Sequence, residues 1–286
     1  GGHDPDAYRE DGCRDIGATD CPAFDVYDSN DPAALERHLE EIAGAGIDFL
    51  VVSWWGIGSF EDQAFAHLLA AIEASGSPLS ATIYYEVVPE GDPARAIEDL
   101  TYIRDTYAAS PAFFDVDGEP VVFIYGRAVG QLSPQGWRSV FESVEAQGPV
   151  HVSFDWPADA DRFDPPSGVD SVHFYNPVGD LVSGAYSAGM YESYVAGAHR
   201  AGLGAALTVL PGYDDSNIGR EHPIVLPREG GAVYEMLWKD AIAADPDWVL
   251  VTTFNEWHEG SEIEPSIEYG DTYLRLTADY ADHFHP

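Results

Sequence analysis

The sequence predicts an α/β protein, and within that class a (β/α)8 barrel of the TIM type, on three observations. Short apolar segments rich in Val, Ile and Tyr alternate with amphipathic stretches along most of the chain, the pattern of a parallel sheet whose strands are joined by helices. No Gly-x-Gly-x-x-Gly or other phosphate-cradling loop follows any of these segments, which counts against the open nucleotide-binding sheets. The segments end in SWW, YYE, IYG, FDW, FYN, LPGYDD and FNEWHE, so polar and aromatic residues collect at nearly every strand end. A barrel brings all its strand ends to one mouth, whereas a doubly wound sheet concentrates its site at a switch point. A length of 286 residues suits one such domain over 1–286, preceded within it by an irregular segment at 1–30.

The elements follow in order. Residues 1–30 show no period and are rich in Asp, Gly and Pro, so they read as loop. The first helix is expected at 32–45, with Asp31 as N-cap, Pro32 at the first helical position, Leu35, Leu39 and Ile42 as its apolar stripe, and Gly44 and Gly46 as its stop. IDFLVVSWW (47–55) is a continuous apolar run, typical of a strand buried on both faces. The cycle then repeats: helix 61–75 and strand 79–86, helix 93–108 and strand 120–126, helix 134–146 and strand 149–156. A Pro-rich connection leads to strand 169–176, helix 190–201 to strand 203–211, and a long loop with helix 231–243 to strand 247–257; a last helix lies at 271–283. These are seven strands, and a closed barrel needs eight. Nothing before residue 47 reads as a strand, so the first strand lies upstream of this chain or is unrecognised in it.

Charge narrows the partners. Fifty acidic residues face 13 basic ones, for a formal net charge of −37, and Lys239 is the only lysine. Nucleic acid and anionic membrane surfaces both require basic patches, so neither is expected as a partner. The acids are dispersed and not in blocks, which reads as a hydrated acidic shell of the kind that concentrated salt screens; a salt-loving microbial source is expected. No apolar run is long enough to span a membrane. Cys13 and Cys21 are close in sequence, and a local disulfide between them would suit a secreted or cell-surface protein. No signal peptide is visible and the chain begins with Gly-Gly, as a processed form or a fragment would. Oligomeric state is not encoded in any feature of the sequence.

The segment with most chemistry is FNEWHEGSEIEPS (254–266). The last strand should end near Thr253, which leaves Glu256 and Glu259 in the loop at the mouth. Cleaving a glycosidic bond takes one group to protonate the leaving oxygen and a second to supply or generate the nucleophile. Two carboxylates do both if their surroundings separate their pKa values. Trp257 and His258 between them could supply that difference, and Asn255 a hydrogen bond to a sugar hydroxyl. Glu262 and Glu264 read as solvated surface in so acidic a chain. A metal site built from Glu256, His258 and Glu259 is the lesser reading, because the spacing is not that of a metal-binding helix.

FNEWHEGSEIEPS resembles the signature of glycoside hydrolase family 99, the endo-acting α-mannosidases and α-mannanases. YDSNDPAALERHLEEIAGAGIDFLVVSWWG (27–56), IYYE (83–86), SPAFFDVDGEPVVFIY (110–125), HFYN (173–176) and LPGYDDSNIGR (210–220) are similar to family segments in the same order. The resemblance runs from about residue 20 to the end. It implies a barrel enzyme that cleaves inside an α-linked mannose chain with retention, through a 1,2-anhydro sugar and without a cofactor. Carried over, Glu256 would be the base on the 2-hydroxyl and Glu259 the general acid/base. Trp54, Trp55, Glu86, Tyr175 and Trp257 would line the sugar subsites, and Arg220 matches an Arg of the seventh loop with an offset of about one residue.

Strand alternation sends only one of Trp54 and Trp55 inward, and Trp55 is expected nearer the mouth. Glu86 on a buried strand needs a partner or a function. Asp155 is a further candidate, as ligand contact or partner of Arg220. The family's aromatic-rich first strand is not found here. The alternative function is a non-catalytic carbohydrate-binding or polysaccharide-assembly module on the same barrel.

Overall fold

Polar caps set the helix starts. The structure, a computed structural model, describes residues 3–158 and 162–284; the ends of the chain and the middle of the Pro-rich connection, 159–161, lie outside it. Asp31 accepts from the Ala33 N–H at the start of α1 (Pro32–Gly44), a contact worth ~1 kcal/mol. Strand β1 (Phe49–Trp54) follows, and Ser59 caps α2 (Phe60–Ser75). After β2 (Ser80–Tyr85), Asp92 caps α3 (Pro93–Tyr107), again with Pro in the first turn. A hairpin joins β3 (Asp115–Val116) to β4 (Glu119–Ile124), a short α4 (Gly126–Val129) leads on, and Ser133 caps α5 (Pro134–Glu145). Strands β5 (His151–Asp155) and β6 (Ser171–His173) precede α6 (Val178–Ser183), α7 (Ala188–Arg200) and β7 (Gly204–Val209). A small hairpin of β8 (Tyr213–Asp214) and β9 (Val225–Leu226) lies in the long loop before α8 (Ala232–Ala244), β10 (Trp248–Val251) and α9 (Thr272–Phe284).

Seven of these strands form one parallel path in the order β1-β2-β4-β5-β6-β7-β10. They correspond to the seven strands read from the sequence. The sheet is a curled, TIM-like barrel left open: among the described residues no strand pairs β1 with β10, so the eighth strand of the expected barrel is not present. Side by side, β1 and β10 border an apolar cleft of about 490 Å³ that α1 and α9 also line. The two hairpins, α4 and α6 were not read from sequence, because none is long enough to show a period. The strand expected at 247–257 ends at Val251, and the one at 169–176 keeps ladder pairing only over Ser171–His173.

Alternation along the strands divides the side chains into two layers. Val121, Phe123 and Tyr84 face the barrel interior with Phe49, Phe114, Tyr125, Tyr175 and Trp248 around them. The opposite faces bury Trp54, Ile83, Tyr85, Val122, Ile124, Phe154 and Leu207 against the helices. Each of these buried large side chains contributes ~1.5–3 kcal/mol. Residues 3–30 form no helix. They are stapled by the Cys13–Cys21 disulfide and fastened to the C-terminal loops by the Pro22–Ser266 bridge and by Glu268, which accepts from the Cys21 N–H at 2.9 Å. No described helix is long and apolar enough to cross a membrane.

Candidate active site

The chain leaves β10 through a cis peptide between Thr252 and Thr253 and doubles back on itself. The Thr253 N–H bonds the Ser261 carbonyl, and the Ile263 and Glu264 N–H groups bond the carbonyls of Thr253 and Phe254. At the tip of this clasp, a single 3-10 turn (Trp257–Glu259) holds Glu259 at its end, with Glu256 immediately before it. The Thr253 hydroxyl accepts from the Glu256 N–H at 2.9 Å. Gly260 ends the turn at φ 56° with Asp214 backbone atoms 3.0 Å from where a Cβ would stand, so both the conformation and the space favour glycine there.

Glu259 is the enclosed member of the pair. Its side chain is 17% exposed against 45% for Glu256. The Tyr175 hydroxyl donates to its Oε2 at 2.8 Å, and an Arg220 guanidinium nitrogen lies 4.0 Å from Oε1. Burial pushes the Glu259 carboxyl above the usual range, and the neighbouring Glu256 pushes it further; the hydroxyls of Tyr175 and Tyr213 and the charge of Arg220 work in the other direction. Glu256 stands toward solvent with His258 Nδ1 at 3.5 Å. That contact is the main reason the His258 imidazole titrates higher than usual. The two carboxylates thus sit in contrasting surroundings, Glu259 enclosed with its pKa raised and Glu256 open to solvent.

Parallel register explains what surrounds them. Ser53 pairs with Tyr84, and Trp54 with Tyr85. Ser53 and Tyr84 face inward, so Trp54 and Tyr85 must face the helices. The Ser53 hydroxyl donates to Glu86 at 2.7 Å, and burial raises the Glu86 carboxyl while Arg127 opposes it. The rings of Tyr84, Tyr125 and Tyr175 cluster beneath the carboxylates, with centroids 5.2 to 6.3 Å apart. The Tyr84 hydroxyl is held at 3.1 Å by His173, whose other ring nitrogen meets Ser153 at 3.0 Å; full burial drives the His173 pKa down to about 3, so the ring is neutral. Trp55 forms a shelf at the rim, 43% exposed, with the Arg127 guanidinium 4.9 Å over its ring.

Several sequence expectations are corrected here. Trp54 does not line the mouth: it is wholly buried and its indole N–H donates to Asp62 at 2.9 Å. Trp257 also turns away, buried with its indole donating to Glu264 at 3.0 Å. Glu262 and Glu264 are not solvated surface; both are buried, Glu262 against Arg228 and Glu264 against His38, Tyr27 and Trp257. Asp155 is not the partner of Arg220. It accepts from the Gly126 N–H at 2.9 Å, and burial raises its pKa to about 7, while Arg220 pairs with the buried Asp215. Glu256, Glu259, Tyr175, His258, Arg220 and Glu86 are brought together by direct contacts and mutual electrostatics. Trp55 is tied to them through Arg127, which stands over its ring and acts on Glu86, and Asn255 precedes Glu256 as an exposed residue bonded to Tyr27. Tyr213, Tyr125, Arg127 and Tyr27 were not singled out from sequence; the first three stand in or beside a strand-end segment, whereas Tyr27 lies in the N-terminal loop before α1. Among the described residues, the group of three metal-capable side chains close enough to share an ion is Asp11, Cys13 and Cys21, whose sulfurs are bonded to each other.

The sequence profile of Glycosyl hydrolase family 99 matches residues 2–285. The chain belongs to this family. A family 99 endo-α-mannosidase from Bacteroides thetaiotaomicron superposes on it with a TM-score of 0.83, covering 95% of this chain and 84% of that one at 26% identity. The mouse glycoprotein endo-α-1,2-mannosidase is 26% identical over 88% of this chain and 58% of its own length, and the human glycoprotein endo-α-1,2-mannosidase-like protein is 26% identical over 94% and 62%. The chain thus spans about three fifths of the length of these two relatives. Family membership makes it a homologue of glycoside hydrolases, with the paired Glu256 and Glu259 at the strand-end face where barrel sites form.

Proposed function

We propose that this family 99 chain is a retaining endo-α-mannosidase, with Glu259 as general acid/base and Glu256 as base on the sugar's own 2-hydroxyl. The observation that carries the reading is the asymmetry of the pair: Glu259 is enclosed by Tyr175, Tyr213 and Arg220 with its pKa raised, while Glu256 is half-exposed beside His258. In an α-mannoside the 2-oxygen and the leaving oxygen are both axial and on opposite faces. Glu256 removes the 2-hydroxyl proton, the 2-oxygen bonds C1, and the C1–O bond to the leaving sugar breaks as Glu259 protonates it. Water then attacks C1 of the 1,2-anhydro sugar, giving its proton to Glu259, and the 2-oxygen recovers its proton from Glu256. Two inversions give retention. Trp55 supplies a stacking face, and Glu86, Tyr175, Asn255 and Arg220 supply polar contacts. No cofactor enters any step.

Product analysis with α-1,2- and α-1,6-linked manno-oligosaccharides in molar salt tests this. Internal cleavage with retained anomeric configuration is expected, reduced ~10²–10⁴-fold in a folded Glu259→Gln variant. Intact oligosaccharide that nevertheless binds the wild-type protein would mean a non-catalytic carbohydrate-binding module.

A further inference from the structure

We propose that Tyr27 and Glu264 are positioning residues that fix which end of the Asn255 amide faces the substrate. The inference rests on the glycosidase reading of the mouth. Glu264 lies buried at the foot of the clasp, and its Oε2 takes two hydrogen bonds, from the Trp257 indole at 3.0 Å and the Tyr27 hydroxyl at 2.7 Å. Its Oε1 meets His38 Nε2 at 3.0 Å, with an Arg37 nitrogen at 3.8 Å. The Tyr27 oxygen is in turn 3.1 Å from Asn255 Nδ2.

Polarity runs one way along this chain of contacts. A phenol has a single proton. Tyr27 spends it on Glu264, which leaves its oxygen only lone pairs to offer Asn255. Asn255 must therefore give Tyr27 an N–H and turn its carbonyl oxygen toward the open mouth, where the residue is exposed. The site then presents an acceptor at that point, suited to a sugar hydroxyl acting as donor. Through Trp257 the same carboxylate also anchors the turn that holds Glu259 and follows Glu256. Tyr27 and Glu264 touch neither carboxylate of that pair. The Tyr27 ring keeps its packing when the hydroxyl alone is removed, because it lies edge-on against His38 with centroids 4.7 Å apart, and Glu264 keeps the Trp257 and His38 contacts.

The test is a double-mutant cycle of Tyr27→Phe and Asn255→Ala on oligomannoside cleavage, joined to NMR of protein labelled with ¹⁵N-asparagine. The chain has four asparagines, Asn30, Asn176, Asn217 and Asn255, so the side-chain signal of Asn255 is assigned by its loss in Asn255→Ala. Tyr27→Phe is expected to lower kcat/KM ~10-fold in the wild-type background and by less than about twofold in the Asn255→Ala background. It is also expected to move the Asn255 amide pair and leave the other three in place. Equal losses in both backgrounds, or an unmoved Asn255 signal, overturn the proposal. If the wild-type protein cleaves no mannoside, the glycosidase reading falls, and the NMR comparison still decides this one.

Discussion

Tyr175 sits directly on the carboxylate proposed as the proton donor, and its hydroxyl favours the ionised form of Glu259. Removing it should raise the Glu259 pKa further. The acid form then survives to higher pH, so Tyr175→Phe is expected to move the basic limb of the kcat/KM profile upward. It should also lower the maximum ~10-fold, as the loss of a hydrogen bond to a charged group does. An unmoved basic limb in initial-rate measurements across pH would show that Tyr175 does not set the proton affinity of Glu259. At this scale the sequence was legible where chemistry and position coincide: Glu256, Glu259, Tyr175 and Glu86 each follow a buried strand. Alternation allowed only one of Trp54 and Trp55 to face inward and favoured Trp55, while the resemblance also put Trp54 among the subsites; the inward parity of Ser53 turns Trp54 to the helices.

The loop after β10 is an element built from distant partners. Tyr27 reaches Glu264 from 237 positions away and Arg228 bonds Glu262 from 34, so no local pattern marks these acids as buried. Arg228 also grips the Gly260 carbonyl, and Asp20 stands 3.5 Å from the same guanidinium. Two acids thus share one cation, and burial raises the Glu262 pKa to about 8 from an unfolded value near 4.5. In that window the folded protein holds a proton that the unfolded chain has released. The stabilisation is complete below the unfolded pKa and is lost as pH rises through about 8. Glu262→Gln, which cannot ionise, should therefore flatten the decline of stability over that range in denaturant titrations. A decline as steep as in the wild type would place its origin elsewhere. The clasp's hairpin form was not legible either, since the sequence read as continued strand to residue 257.

For the molecule as a whole, the net charge of −37 is spread over a surface where most carboxylates have no cationic partner to meet. Salt shortens the Debye length from ~10 Å at 0.1 M to ~3 Å at 1 M, which removes repulsion in the compact state more than in the expanded chain. The melting temperature should rise steadily over that range of KCl, and calorimetry showing no rise would show that repulsion among the carboxylates does not limit stability. The α/β class and all seven parallel strands were legible because each strand is a short, mostly apolar run, buried in the middle of the sheet and half-buried at β1 and β10. What the pattern could not display is closure, which depends on contacts between the two ends of the path. In a sealed barrel the ladder between outermost strands is the pairing with the greatest sequence separation, and hence the greatest loop-closure entropy. Here β1 and β10 share no ladder, and the two ends of the chain are joined by the short Pro22–Ser266 bridge and by side chains: α1 against α9, His38 and Tyr27 on Glu264, Glu268 on the Cys21 amide. Assembly can then proceed like a zipper, each strand docking on its predecessor. Native-state opening should begin at the seam, with amides of β1 and β10 exchanging with solvent before those of β4 and β5 at the middle of the sheet.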